Sequence, residues 1–212
     1  MRAVIGKPSA QTYFFADHIK SVEYNPYWNV PRSIVVNEML PRLYRDPAYL
    51  DRLGYQVTDA RGRAVSSADV DWAGVARDTV GVDVRQPPGR RNALGRLKIR
   101  FPNKHAVYMH DTPEKQLFAR ASRAFSHGCV RLQHPRQMAA ALLGRSVDYV
   151  SRQIARGDNR SEPVAGDIPV YLAYFTAWPD LNGEVHYYAD VYGRDDHLST
   201  ALKKTEAARA KS

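Results

Sequence analysis

The sequence holds a single cysteine, Cys129, among 212 residues. One thiol cannot close an internal disulfide, so bridges neither staple this fold nor reveal its redox compartment. Long apolar runs are missing as well. The most apolar stretch, Ile168–Trp178, covers 11 residues and includes Pro169, whereas a bilayer-spanning helix needs ~18 or more. No membrane span is expected in this chain. Residues Met1–Gly6 lack the apolar core of a secretory leader. The chain therefore reads as cytosolic, or as a mature form or excised fragment that begins at an added Met. Acidic residues are also in short supply: 22 Asp and Glu stand against 31 Lys and Arg, a formal charge of +9. A basic surface suits polyanionic surroundings. Yet the basic residues are scattered, no helix-turn-helix or zinc-finger spacing appears, and no basic run alternates with aromatics. No nucleic-acid partner is expected.

What is present is ordinary globular composition, 44% hydrophobic and 25% charged. A chain of this length can bury about 70% of the surface of its unfolded form, enough to fold without metals. Val4–Ile5, Thr12–Ala16 and Ser21–Tyr24 read as short strands punctuated by Gly6-Lys7-Pro8 and Asn25-Pro26. Residues 37–92 depart from this pattern and predict a small helical lobe, with Tyr49, Leu50 and Leu53 on one helix face. Leu97–Phe101 and the buried run Ala106–Met109 return to strands. Pro135 to Gly144 and Ser146 to Gly157 predict two helices, with apolar faces of Met138, Ala141 and Leu142 and of Val147, Val150 and Ile154. Ile168–Trp178 and Glu184–Tyr192 read as a hairpin, with Tyr171, Tyr174 and Phe175 in the core. From Arg194 the chain turns polar, as a tail or terminal helix would.

The chemistry-bearing segments are Tyr108-Met109-His110-Asp111 and Ser126-His127-Gly128-Cys129-Val130-Arg131-Leu132. A thiol with its usual pKa near ~8.5 is mostly protonated at neutral pH, so a nucleophilic cysteine needs a base or a cation beside it. His127 lies two residues before Cys129 and flanks it rather than facing it. His110, at the end of a strand, can come across from a neighbouring strand and is the favoured base. Gly128 permits a tight turn that bares the backbone N–H groups around Cys129, a means of stabilising an oxyanion. Arg131 adds positive potential for a thiolate or a substrate carboxylate. A zinc site drawn from His105, His110, His127, His134 and Cys129 is the competing chemistry. With neither a C-x-x-C pair nor an H-x-x-x-H helix, no metal or other cofactor is expected. His105, His134 and His186 are given no role.

The segment Ser126–Leu132, preceded by His110, resembles the signature of the L,D-transpeptidase catalytic domain (the YkuD family) of bacterial cell-wall enzymes. Ile5-Gly6-Lys7-Pro8, Asn25–Pro31, Asn92–Arg96 and His110-Asp111-Thr112-Pro113 extend the likeness to a proteobacterial branch whose catalytic domain carries an inserted capping lobe. The resemblance implies an α+β fold: a mostly-β catalytic sandwich with short helices over residues 1–193, the lobe at 37–92, and a polar tail at 194–212. It further implies that Cys129 attacks a peptidoglycan stem tetrapeptide, releases D-alanine and passes the acyl group to a diaminopimelate side-chain amine on a second stem, a 3→3 cross-link. His110 matches the general base, oriented by the carbonyl of Asp111. The N–H groups of His127, Gly128 and Cys129 match the oxyanion hole, and Tyr108, Trp28, Ser126 and Arg131 fall where substrate binds. Carbapenems would acylate Cys129, and the cell envelope would be the place of action, with the chain taken as a monomer. Asp111 stands where the family commonly has Gly, which leaves open whether its carbonyl or its carboxylate serves His110. The family's separate wall-binding domain is missing from the sequence, as in a fragment or minimal homologue. The alternatives are a carboxypeptidase or other cysteine hydrolase using the same pair, and a basic wall-binding module without turnover.

Overall fold

In the computed structural model, which describes residues 1–210, the chain opens with strands β1 (Ala3–Gly6) and β2 (Phe15–Tyr24). It then leaves the main sheet to build a lobe. In order these elements are β3 (Trp28–Asn29), α1 (Arg32–Ile34), a π-helical turn (Val35–Met39), α2 (Leu40–Leu43), α3 (Tyr49–Arg52), β4 (Gln56–Asp59), β5 (Ala64–Val65), α4 (Trp72–Ala76) and β6 (Val82–Gln86). The lobe has its own apolar centre, which includes the wholly buried Leu43 and Leu50 with Val57, Trp72 and Val84. Burying a side chain of this size contributes ~1.5–3 kcal/mol. The Asp71 carboxylate caps α4 by accepting from the Gly74 N–H at 2.9 Å, and the Trp72 indole donates to the Ser67 carbonyl at 2.8 Å.

This lobe is not purely helical. Its strands form a four-stranded sheet in the order β3-β6-β4-β5. Val84 is buried between exposed Asp83 and Arg85, the period-two signature of a strand within an otherwise polar stretch. At the neck, the buried Asn92 side-chain amide is directed at the carbonyls of Pro26, Gln86 and Pro87, at 3.0, 3.1 and 2.9 Å. It ties the outgoing and returning strands of the lobe together.

Beyond the lobe come β7 (Leu97–Arg100), β8 (Met109–His110), β9 (Ala124–Ser126), β10 (Val130–Leu132), α5 (Pro135–Leu143), α6 (Val147–Ala155) and β11 (Arg160–Leu172). The seven-stranded sheet runs β11-β2-β7-β8-β10-β1-β9, with β8 parallel to β10 and β1 parallel to β9. Helices α5 and α6 complete its core, where Val22, Tyr24, Leu97, Ile99 and Val150 are fully buried. Pro135 opens α5 and Gly144, at φ +61°, ends it. Ser146 caps α6 by accepting from the Tyr149 N–H at 3.1 Å. The α5 face turns Ala139 and Ala140 inward and leaves Ala141 exposed, while Val147 of α6 is also exposed.

Three strand expectations change. Residues 15–24 form one continuous strand, because β11 and β7 pair along it on either side. Of Ala106–Met109 only Met109 is in a strand; Ala106 takes φ +53° and turns the chain instead. Ile168–Leu172 pairs with Ile19–Phe15 of β2, so the hairpin shrinks to β12 (Ala177–Pro179) and β13 (Val185–Tyr187). This edge position leaves Tyr171 74% and Phe175 58% exposed rather than in the core. Tyr174 is half-buried, its hydroxyl donating to Asp190 at 2.6 Å. The last element, α7 (Arg194–Arg209), buries no residue. The remainder of the expected 194–212 tail, residues 211–212, lies outside the described residues.

Candidate active site

Three neighbouring strands build the site by simple alternation. On β7, Leu97 and Ile99 enter the core while Lys98 between them points the other way; Lys98 pairs with His110 of β8, and His110 pairs with Arg131 of β10. Residues two apart on a strand share a face. Tyr108 and Cys129 stand one residue before β8 and β10 and face the same side as His110 and Arg131. All five side chains border one cavity of about 580 Å³. The Val130 N–H donates to the Tyr108 carbonyl at 3.0 Å, locking the nucleophile's strand to the histidine's.

The loop that presents Cys129 is held from within. Gly128 has φ +110°, a conformation that side-chain-bearing residues rarely adopt, although a Cβ there would meet only ordinary contacts. The Ser126 hydroxyl donates to the Cys129 carbonyl at 2.5 Å and accepts from the Gly128 N–H at 3.1 Å. The buried Thr12 hydroxyl donates to the Gly128 carbonyl at 2.9 Å, and the Lys7 N–H donates to the Ser126 carbonyl at 2.8 Å. The Gly128 N–H expected in the oxyanion hole is thus occupied by Ser126. Ser126 itself, expected at the substrate, borders the cavity but spends its hydroxyl on the loop.

His110 Nδ1 lies 2.5 Å from the Asp111 carbonyl oxygen. A carbonyl can only accept, so Nδ1 carries the hydrogen and Nε2 keeps its lone pair. The Asp111 carboxylate is engaged elsewhere, accepting from the Arg96 and Thr112 N–H groups at 2.9 and 2.8 Å and pairing with Lys115 at 2.5 Å. Gly95, at φ +62°, makes room for it: a Cβ there would lie 2.4 Å from an Asp111 carboxylate oxygen. The carbonyl rather than the carboxylate therefore contacts the imidazole. Burial, aided by the positive charges of Arg131 and Lys98, pushes His110 down to about 3 and keeps it neutral. Burial also pushes the Cys129 thiol up, against the opposing pull of Tyr108, Lys98 and Arg131. The resting pair is a neutral thiol and a neutral imidazole.

Tyr108 meets His110 edge-on, with ring centres 5.6 Å apart, and carries the Lys98 ammonium 4.3 Å from its own ring centre. Trp28 borders the cavity from the lobe. Arg131 forms an ion pair with Glu114 and is mostly buried, so its charge acts on the site from a fixed place. The His127 side chain points to the lobe, where its Nε2 lies 2.5 Å from a Glu38 carboxylate oxygen. No motif in the sequence marks Glu38, Lys98 or Thr12, and His105 enters there only as a possible zinc ligand without a role. His105 borders the cavity and stacks on Tyr13 with ring centres 4.2 Å apart. The alternation of Lys98 between two core residues was a signal for that residue; Glu38, on an irregular helical turn, offered none.

Residues 1–167 match the family model of the L,D-transpeptidase catalytic domain, YkuD. The chain is also 34% identical over 203 residues to a curated Haemophilus influenzae protein named "Putative L,D-transpeptidase", covering 94% of this chain and 41% of that protein. The chain thus spans about two fifths of the length of the curated relative it matches.

Proposed function

The chain belongs to the L,D-transpeptidase catalytic-domain (YkuD) family, and on that premise we propose that it is a peptidoglycan L,D-transpeptidase working through a thioester on Cys129. The observation that carries this reading is that His110 on β8 and Cys129, one residue before the paired strand β10, border one cavity, with His110 Nδ1 bound to the Asp111 carbonyl. Cys129 Sγ attacks the carbonyl between residues three and four of a stem tetrapeptide while His110 Nε2 takes the thiol proton. The neutral thiol at rest makes that transfer necessary. The N–H groups of Cys129 and His127 receive the oxyanion; each such donor lowers the barrier by ~3 kcal/mol. His110 returns the proton to the departing D-alanine amine. An amine from a second stem then attacks the thioester, forming the 3→3 link and freeing the thiol.

The basic charge of the chain suits an acidic wall polymer, and the cell envelope is where stem peptides are found. Lys98, paired with Glu23 at 3.9 Å, and Arg131, paired with Glu114, border the cavity as the groups that would meet donor carboxylates. Two measurements test the proposal. Intact mass after incubation with a carbapenem should gain one adduct per chain in the wild type and none in Cys129→Ala; labelling at another residue refutes the assignment. Incubation with disaccharide-tetrapeptide should yield a 3→3-linked dimer on mass sequencing. Tripeptide without dimer would make the protein a carboxypeptidase instead.

A further inference from the structure

Glu38 is the one carboxylate among the described residues that border the active cavity; the cavity's Lys and Arg side chains are Lys98 and Arg131. It stands on the π-helical turn of the lobe, a kind of irregularity that recurs at functional sites. Its oxygen lies 2.5 Å from His127 Nε2 and 3.3 Å from the Lys7 ammonium. Desolvation at the cavity wall works against its charge, but the hydrogen bonds and charges of His127 and Lys7 outweigh this and hold its carboxyl below the usual carboxylate range. All three side chains are more than a third exposed, at 38% for Lys7, 44% for Glu38 and 37% for His127. Pairs this open to water exchange partners at small cost. His127 also borders a second cavity of about 570 Å³, formed with residues 8–14 and Arg194. The cluster therefore stands where two cavities approach the loop that carries Cys129.

We infer that Glu38 is the binding residue for the acceptor, receiving the ammonium of the incoming stem in place of Lys7 and holding it beside the thioester. This deepens the transfer reading given above and rests on it. The bound R–NH3+ first releases one proton to water, leaving R–NH2. Its nitrogen attacks the thioester carbonyl, a C–N bond forms and the C–S bond breaks. His110 takes the second proton from nitrogen and returns it to sulfur, so the products are the amide, the thiol and one solvent proton. A carboxylate on the lobe, with Lys98 and Arg131 on strands of the main sheet, gives amine and donor carboxylates separate sites in one cavity.

The test compares wild type, Glu38→Gln and Glu38→Asp of the full chain in two assays. One follows carbapenem acylation of Cys129 by intact mass; the other follows dimer yield against the concentration of disaccharide-tetrapeptide acceptor. The expected result is an acceptor KM raised about tenfold or more in Glu38→Gln, with acylation within about twofold of wild type and partial recovery in Glu38→Asp. Unchanged acceptor dependence in Glu38→Gln overturns the inference. Equal loss of acylation also overturns it, because Glu38 would then merely support the His127 loop. Failure of the wild type to acylate at Cys129 removes the transpeptidase reading itself. Wild-type acylation without a dimer removes both transfer and this inference.

Discussion

His110 is neutral because it is buried beside two cations, and that state has a measurable cost in acid. Its pKa is about 3 in the folded chain against an ordinary 6.5. Between those values the unfolded chain binds the proton and the folded chain does not. Its contribution to stability is therefore intact above about pH 6.5 and is lost progressively as the pH falls toward about 3. Denaturant midpoints at pH 7 and 4.5 should differ more for the wild type than for His110→Gln, which cannot charge. The same variant should lower carbapenem acylation by ~10²–10⁴-fold, the usual worth of a general base. Gly128 makes a second residue-level case. Its φ of +110° leaves space for a Cβ but not the conformation. Gly128→Ala should cost of order 1–3 kcal/mol in unfolding free energy and slow acylation. A shift in acylation without a shift in the unfolding midpoint would separate the loop's chemistry from its strain.

At the scale of elements, the lobe depends on its neck. Asn92→Ala removes a buried amide directed at three carbonyls, and with it the acceptor of the Leu94 N–H, an expected loss of ~1–3 kcal/mol. Hydrogen exchange should show faster opening of β3 and β6 while β7 and β10 keep their protection. The sequence made some elements plain and concealed others for physical reasons. Pro135 and Gly144 marked both ends of α5, because a missing N–H and a left-handed φ are local requirements. The partner of Ile168–Leu172 was concealed, because an apolar run of this length states that it is a strand without saying which edge receives it. The lobe's sheet was hidden in a polar stretch whose alternation is only a few residues long. At the site, the motif around Cys129 and the strand-end position of His110 were legible, but the choice between carbonyl and carboxylate of Asp111 was not, because it depends on the Arg96 and Thr112 N–H groups and Lys115 that engage the carboxylate. The occupied Gly128 N–H and the Glu38 contact depend on loop geometry and on packing between segments far apart in sequence, which no local pattern encodes.

For the molecule as a whole, the family match ends at residue 167, yet the chain continues through the far half of β11, the small hairpin and α7. The contribution of these parts is uneven. Tyr192 is buried and its hydroxyl donates to the Gly6 carbonyl at 2.7 Å, tying this region to β1. Helix α7 has no buried residue. A chain truncated after Asp195 keeps Tyr192 and the Arg194 guanidinium that rests 4.5 Å from the centre of the Phe14 ring. Its melting temperature should stay within about 2 °C of the full chain, since each ~1 kcal/mol is worth only a few degrees at this size. A larger drop would mean that α7 stabilises the fold through its surface charges.

The parallel pairing of β8 with β10 has one more consequence. The imidazole sits on β8 and the thiol one residue before its neighbour β10, two strands whose spacing, ~4.8 Å, belongs to the sheet itself, while Trp28 and Glu38 approach from a separately packed lobe. A shift of the lobe would change the cavity wall and the His127–Glu38 contact but leave the pairing of β8 with β10 in place: the door and the anvil are built on different foundations.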